Sequence, residues 1–139
     1  MKDLEFRFFL KENKNIYKVS MLSFPFGNEG LKDVCVYIPE EDCYQWFGIE
    51  EGNLMMFTGL RDKNGTKIFE GDIIKRKDDI LYVIRYIYGG FDSEPINEFY
   101  KEPKITWNTL GEMQNALWCM DNCEVIGNIY DNKELLEEI

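Results

Sequence analysis

Along most of the chain, short apolar, β-prone runs are separated by polar, turn-like breaks. Leu4 to Leu10 (LEFRFFL) is aromatic-rich, the turn-like Lys11–Asn15 follows, and Ile16 to Phe24 (IYKVSMLSF) resumes the pattern, which predicts a β-hairpin. Pro25–Gly30 breaks it, and Asp33–Ile38 reads as a short strand ended by Pro39. Glu40 to Phe47 is ambiguous and compatible with one or two helical turns, while Gly48 to Asn53 reads as loop.

The clearest pattern begins at Leu54. Leu54–Phe57 leads into Thr58-Gly59-Leu60, then Arg61–Gly65, then Lys67-Ile68-Phe69. Asn64-Gly65 predicts a primed two-residue hairpin turn, because both residues tolerate positive φ. Glu70-Gly71-Asp72 turns the chain into Ile73-Ile74-Lys75, and Lys77-Asp78-Asp79 turns it again into Ile80 to Tyr88, the longest apolar run. There Tyr82, Ile84, Tyr86 and Tyr88 alternate with Leu81, Val83, Arg85 and Ile87, so both faces are largely apolar and the strand should be central.

After Gly89-Gly90, residues 92 to 104 carry Pro95 and Pro103 and little core signal, as expected of a surface excursion. Leu110, Met113, Leu117 and Trp118 recur at helical spacing behind a cap at Asn108 or Thr109. Glu124–Tyr130 is a late strand, and Asp131 or Asn132, with Glu134, suits the cap of a final helix packed down by Leu135, Leu136 and Ile139. There is no internal repeat and no linker. About eight strands and two short helices predict a mainly β, β-rich α+β fold: an N-terminal hairpin, a barrel-like (SH3-like) central sheet and a short C-terminal helix. The expected organisation is one domain over 1–139, with an N-terminal β region at 1–50 and the barrel-like region and helix at 54–139.

Composition narrows the class of function. The 139 residues are 45% hydrophobic and 15% aromatic, too apolar for a disordered chain. Net charge is −10, so phosphate backbones are repelled on average and nucleic acid is an unlikely partner. The densest basic run, Lys75-Arg76-Lys77, is followed at once by Asp78-Asp79. An acidic surface suits a basic protein partner or imitation of DNA. Met1–Glu5 does not open a signal peptide and no segment matches a membrane helix, so the expected location is the cytoplasm with reduced thiols. Cys35 and Cys43 have seven residues between them and Cys119 and Cys123 three; only the second pair fits zinc-ligand spacing, so free thiols are expected and no metal or cofactor.

Histidine is absent, which removes the usual general base and every Ser-His or Cys-His nucleophile. Gly59, Gly65 and Gly71 sit at turns and form no phosphate loop. Glu70 and Asp72 lie two apart and could hold a divalent ion, but acids beside a strand-leading glycine more often bind turn amides. Trp46, Phe47, Trp107 and Trp118 are better explained by core packing or an apolar subunit interface than by base stacking.

The stretch FTGLRDKNGTKIFEGDII, Phe57 to Ile74, resembles the central signature of the YopX family, small proteins of phages and prophages. Phe6-Arg7-Phe8 resembles that family's opening strand, and Val125–Asn132 with Leu135-Leu136 its closing segment. The proline usual after the final Asn is Lys133 here, a replacement tolerated in a first helical turn. The resemblance implies a β-rich fold, phage or prophage origin, self-association and no established activity, and it supplies no catalytic residues. Within the signature, Thr58, Gly59, Leu60, Asp62, Asn64, Gly65, Glu70, Gly71 and Asp72 read first as scaffold and second as an interaction loop, with Ile68, Ile73 and Ile74 on the apolar side.

These readings favour a non-enzymatic interaction protein that self-associates and presents an acidic surface to a host or phage protein, DNA mimicry being one form of it. The alternative is a small-molecule module or carboxylate-dependent enzyme with a site at the barrel mouth, lined by Tyr82, Arg85 and Tyr86. A local basic strip at Lys75, Arg76 and Lys77 is the only candidate for contact with nucleic acid.

Overall fold

The structure is a computed structural model and describes residues 4–25, 27, 30–76, 79–87, 90–96 and 123–136. It divides into two compact units, Leu4–Met56 and the chain from Phe57 onward. In the first, β1 (Phe6–Leu10), β2 (Asn15–Ser23), β3 (Asp33–Ile38), β4 (Cys43–Gly48) and the first half of β5 (Gly52–Arg61) pair antiparallel in the order β4-β3-β2-β1-β5. The expected hairpin is β1–β2, in register Phe8 opposite Tyr17, and Asn13 fixes its turn by accepting the Asn15 N–H and donating to the Tyr17 hydroxyl.

Strand alternation selects the core. Val34, Val36 and Ile38 of β3 face one way and join Phe8, Leu10, Tyr17 and Phe47 in a buried cluster. Gly52 is required where β5 meets β1, because a Cβ there would collide with the Phe9 carbonyl and the Phe8 ring.

Two local expectations fail in this unit. Residues 40–47 make no helical turns. Pro39–Asp42 is a tight turn, with the Glu41 N–H bonded to the Ile38 carbonyl and Asp42 at φ 48°, and β4 runs back along β3 with Cys43 opposite Ile38. A neighbouring strand decided a pattern that was ambiguous alone. The expected loop at 48–53 is a single 3-10 turn, Ile49–Glu51, leading directly into β5.

In the second unit the end of β5 pairs with β6 (Lys67–Phe69), and β7 (Asp72–Arg76), β8 (Leu81–Ile87), β9 (Gly90–Pro95) and β10 (Cys123–Asn128) form an antiparallel sheet in the order β10-β7-β8-β9. The longest apolar run is indeed interior, since β8 lies between β7 and β9. Ile73 and Val83 pack on one side with Leu136, while Ile74 and Ile84 pack on the other with Ile68 and Cys123. Each of these aliphatic side chains is worth about 1.5–3 kcal/mol when fully buried. The β-rich α+β class therefore holds, but among the described residues no ladder joins β10 to β9, so the pairing is that of an open sheet rather than a closed barrel.

The expected excursion begins as a strand, because Gly90–Pro95 continues the hairpin from β8 with Tyr86 opposite Phe91. Residues 97–104 and the helix expected over 108–118 lie outside the described residues, as do Trp107, Trp118 and Cys119. The final helix is one turn, α1 (Lys133–Leu136), with Leu136 buried. Asn132 stands just before it, where a cap is expected, and the Leu135 amide bonds to the Asn132 carbonyl. Asn128 Oδ1 accepts the Tyr130 and Asp131 amides, and Asn132 Oδ1 accepts the Asn128 amide, so the two asparagines close the turn between β10 and α1.

Candidate functional site

The signature segment forms a hairpin whose polar side chains serve its own backbone. Thr58, buried, donates its hydroxyl to the Ile68 carbonyl at 2.7 Å and accepts the Leu60 amide at 3.1 Å, spanning the bulge at Gly59, where φ is 85°. Leu60 packs on the cluster containing Ile68 and Ile74. Asp62 is 1% exposed and uses both carboxylate oxygens: Oδ1 accepts the Asn64 and Thr66 amides at 2.9 Å, and Oδ2 accepts the Val125 amide of β10 at 2.8 Å. One side chain thus closes the loop and ties it to a strand 63 residues further on.

The loop is not the expected two-residue primed turn. Gly65 has φ 82° whereas Asn64 does not take positive φ; the Gly65 amide bonds to the Asp62 carbonyl and the Asp62 amide to the Thr66 carbonyl. This is a three-residue loop, a turn over Lys63-Asn64 followed by a left-handed glycine, and the Asp62 carboxylate selects it by holding both amides. In the Glu70-Gly71-Asp72 turn, buried Asp72 accepts the Phe69 amide at 2.8 Å, and Gly71 exchanges bonds with Ile84 and Ile129 through its N–H and C=O. Glu70 is half-buried at the same turn. Asp62 and Asp72 are therefore committed to backbone amides, and no group of three or more His, Cys, Asp or Glu side chains comes together to hold a metal among the described residues.

The other sequence candidates separate. Tyr82 and Tyr86 share a face of β8 with Ile84 between them, and Arg85 lies on the opposite face, so the three do not converge. Arg76 stacks over the Tyr82 ring at 4.6 Å and Lys75 pairs with Asp79 at 3.3 Å, so both cations in the described part of the basic run have partners within the chain. Cys35 is a buried free thiol and Cys43 a half-buried one, and Cys123 is buried. Burial raises the Cys35 thiol, and burial followed by the hydrogen bond to Glu41 raises that of Cys43, so both stay protonated and weakly nucleophilic at neutral pH.

Sequence reasoning missed the outward face of β2, β3 and β4. Phe47 is core, as expected, but Trp46 is 48% exposed, Tyr44 64% and Met21 50%. Met21 and Trp46 both lie opposite Cys35, and Tyr44 lies opposite Tyr37 with ring centroids 5.2 Å apart. The Tyr37 hydroxyl bonds to Asp42, and that bond first, then burial and the neighbouring Tyr44 and Cys43, raises its pKa. Beside this face is an open recess of about 230 Å³ lined by Asn15, Ile16, Tyr17, Lys18, Tyr37, Pro39 and Glu40. It is smaller than typical small-molecule sites, about 300–1,000 Å³, and close to the size of one side chain. The signal for this face was the alternation Tyr44, Trp46 against Cys43, Gln45, Phe47, which becomes legible only once residues 43–48 are known to be a strand.

The fold is similar to the crystal structure of protein EF1440 from Enterococcus faecalis, with TM-score 0.61 and 23% identity over 98% of this chain and 99% of that one. No curated protein matches the sequence. Among the described residues no helix is long and apolar enough to cross a membrane. The family model for YopX protein matches residues 5–137, so the signature hairpin, the opening strand and the closing turn lie within one match, and the chain belongs to the YopX family.

Proposed function

We propose that this chain is a non-enzymatic protein-interaction module of phage or prophage origin, acting in the host cytoplasm, and that its binding surface is the outward face of β2–β4. The observation that carries the reading is the pair of exposed aromatics, Tyr44 and Trp46, on a strand bordered by Glu40, Glu41 and Asp42 before it and Glu50 and Glu51 after it. Amphipathic aromatics are the side chains that most often dominate protein interfaces. The missing histidine, the protonated thiols and the commitment of Asp62 and Asp72 to backbone amides support a binding role over catalysis. The acidic surroundings favour a basic partner, a DNA-binding host protein among them. They disfavour a second copy at this face, so self-association uses another surface.

The test is capture from bacterial host lysate by tagged wild type and by the Tyr44→Ser/Trp46→Ser double variant, read by quantitative mass spectrometry. A stoichiometric host or phage protein with the wild type, reduced at least about tenfold with the variant at unchanged circular dichroism, is the expected result. Recovery of the bait alone, or equal capture by both, overturns it. Light scattering on the eluate reads self-association, and competition with duplex DNA for the captured protein reads DNA mimicry.

A further inference from the structure

The free edge of β4 has a shape and a charge that specify how a partner would bind, an inference that rests on the reading above. β4 is the outermost strand of its sheet, and among the described residues none pairs with its other side. The Ile49 N–H donates to the Lys32 carbonyl at 2.9 Å. Counting back along the antiparallel ladder from that bond, Val34 with Phe47, Val36 with Gln45 and Ile38 with Cys43 are the hydrogen-bonded pairs. Tyr44, Trp46 and Gly48 belong to the alternate pairs, so their N–H and C=O groups point away from β3. The Gly48 amide is taken by the Glu51 carboxylate at 2.6 Å, as that geometry requires, which leaves the backbone groups of Tyr44 and Trp46 facing outward. Tyr44, Gln45 and Trp46 are exposed in succession, as happens when a strand is open along its edge as well as on a face.

Both ends of this edge are acidic. Glu40, Glu41 and Asp42 precede it and Glu50 and Glu51 follow it; Lys11, whose Nζ reaches the Glu50 carbonyl at 3.3 Å, offsets one charge at the second end, and the first keeps all three. Antiparallel pairing of β4 with a second copy, centred on Gln45, would set Glu40 of one copy against Glu50 of the other, and parallel pairing would align like acids along the whole edge. The charges that exclude a second copy attract a cationic strand.

We propose that β4 accepts a partner by strand addition, and that the partner segment is an extended, β-prone stretch with lysine or arginine at both ends. Its backbone bonds to the amides and carbonyls of Tyr44 and Trp46, alternate side chains lie against the two aromatics, and its cationic ends meet the Glu40–Asp42 and Glu50–Glu51 groups.

The probe is a capped decapeptide with two basic residues at each end and three Thr-Val repeats between, used with the full-length protein. Two controls accompany it: a version N-methylated on the edge-facing amides and a version with glutamate ends. The expected result is slowing of amide exchange at Tyr44 and Trp46 by at least about tenfold, with binding lost on N-methylation and weakened at least about tenfold by glutamate ends. Binding that survives N-methylation overturns strand addition; if Trp46→Ser then abolishes it, the aromatic face stands as the interaction surface and only the mode falls. No protection at Tyr44 and Trp46 by the basic peptide also overturns the proposal, and capture of the same lysate protein by wild type and Tyr44→Ser/Trp46→Ser would remove the face with it.

Discussion

At the scale of single residues the polar members of the signature are hydrogen-bond hubs. Asp62 is the strongest case, because a buried carboxylate that accepts three backbone amides leaves three unsatisfied donors when removed. Asp62→Ala should destabilise the protein by about 3–5 kcal/mol, measured by urea unfolding. Asp62→Asn should recover part of this, since one amide oxygen can still accept the loop N–H groups while its NH2 faces the Val125 donor. A change under about 1 kcal/mol in Asp62→Ala would mean that Asp62 is not a structural hub. That an acid in a D-x-N-G segment would bind its own turn was readable from sequence. Its third bond was not, because nothing local to Asp62 says that Val125 will lie beside it.

At the scale of elements, neighbours decide what local pattern leaves open. Val34, Val36 and Ile38 announce a strand by themselves, whereas Tyr44–Phe47 satisfies short helical and strand templates alike, and only the ladder with β3 resolves it. The resulting β3–β4 hairpin carries a testable pH dependence through the Tyr37–Asp42 bond. The Tyr37 pKa is raised in the folded state, first by that bond, so the native protein holds its proton where the unfolded chain begins to lose it, near pH 10. The contribution is therefore complete below that ordinary value and is lost as pH rises through the raised one. In urea unfolding at a series of alkaline pH values, wild type should lose stability relative to Tyr37→Phe over that interval, and parallel curves would show that the bond makes no difference to folding. Hairpin geometry likewise decided the loop at Asn64-Gly65, where the Asp62 carboxylate, by collecting two amides, favours three residues over two.

For the molecule as a whole, charge governs behaviour in solution. A net charge of −10 adds repulsion between molecules at neutral pH, and the sequence pI near 4.5 marks where that repulsion vanishes. Solubility, followed by turbidity, should pass through a minimum near pH 4.5 and recover below it; a flat profile would show that net charge does not control association.

The β-rich class, the strands set off by clear turn residues, the family signature and the acidic balance were legible in the sequence alone, because β-prone runs, turn chemistry and charge are properties of short segments or of simple sums. The tertiary structure decided the rest. That β7 is interior, whether the pairing closes, which amide Asp62 reaches across 63 residues, and that Trp46 is left in solvent while Phe47 is buried all depend on which strands become neighbours. That choice is made by long-range burial and hydrogen bonding, whose partners are far apart along the chain and invisible to any local window.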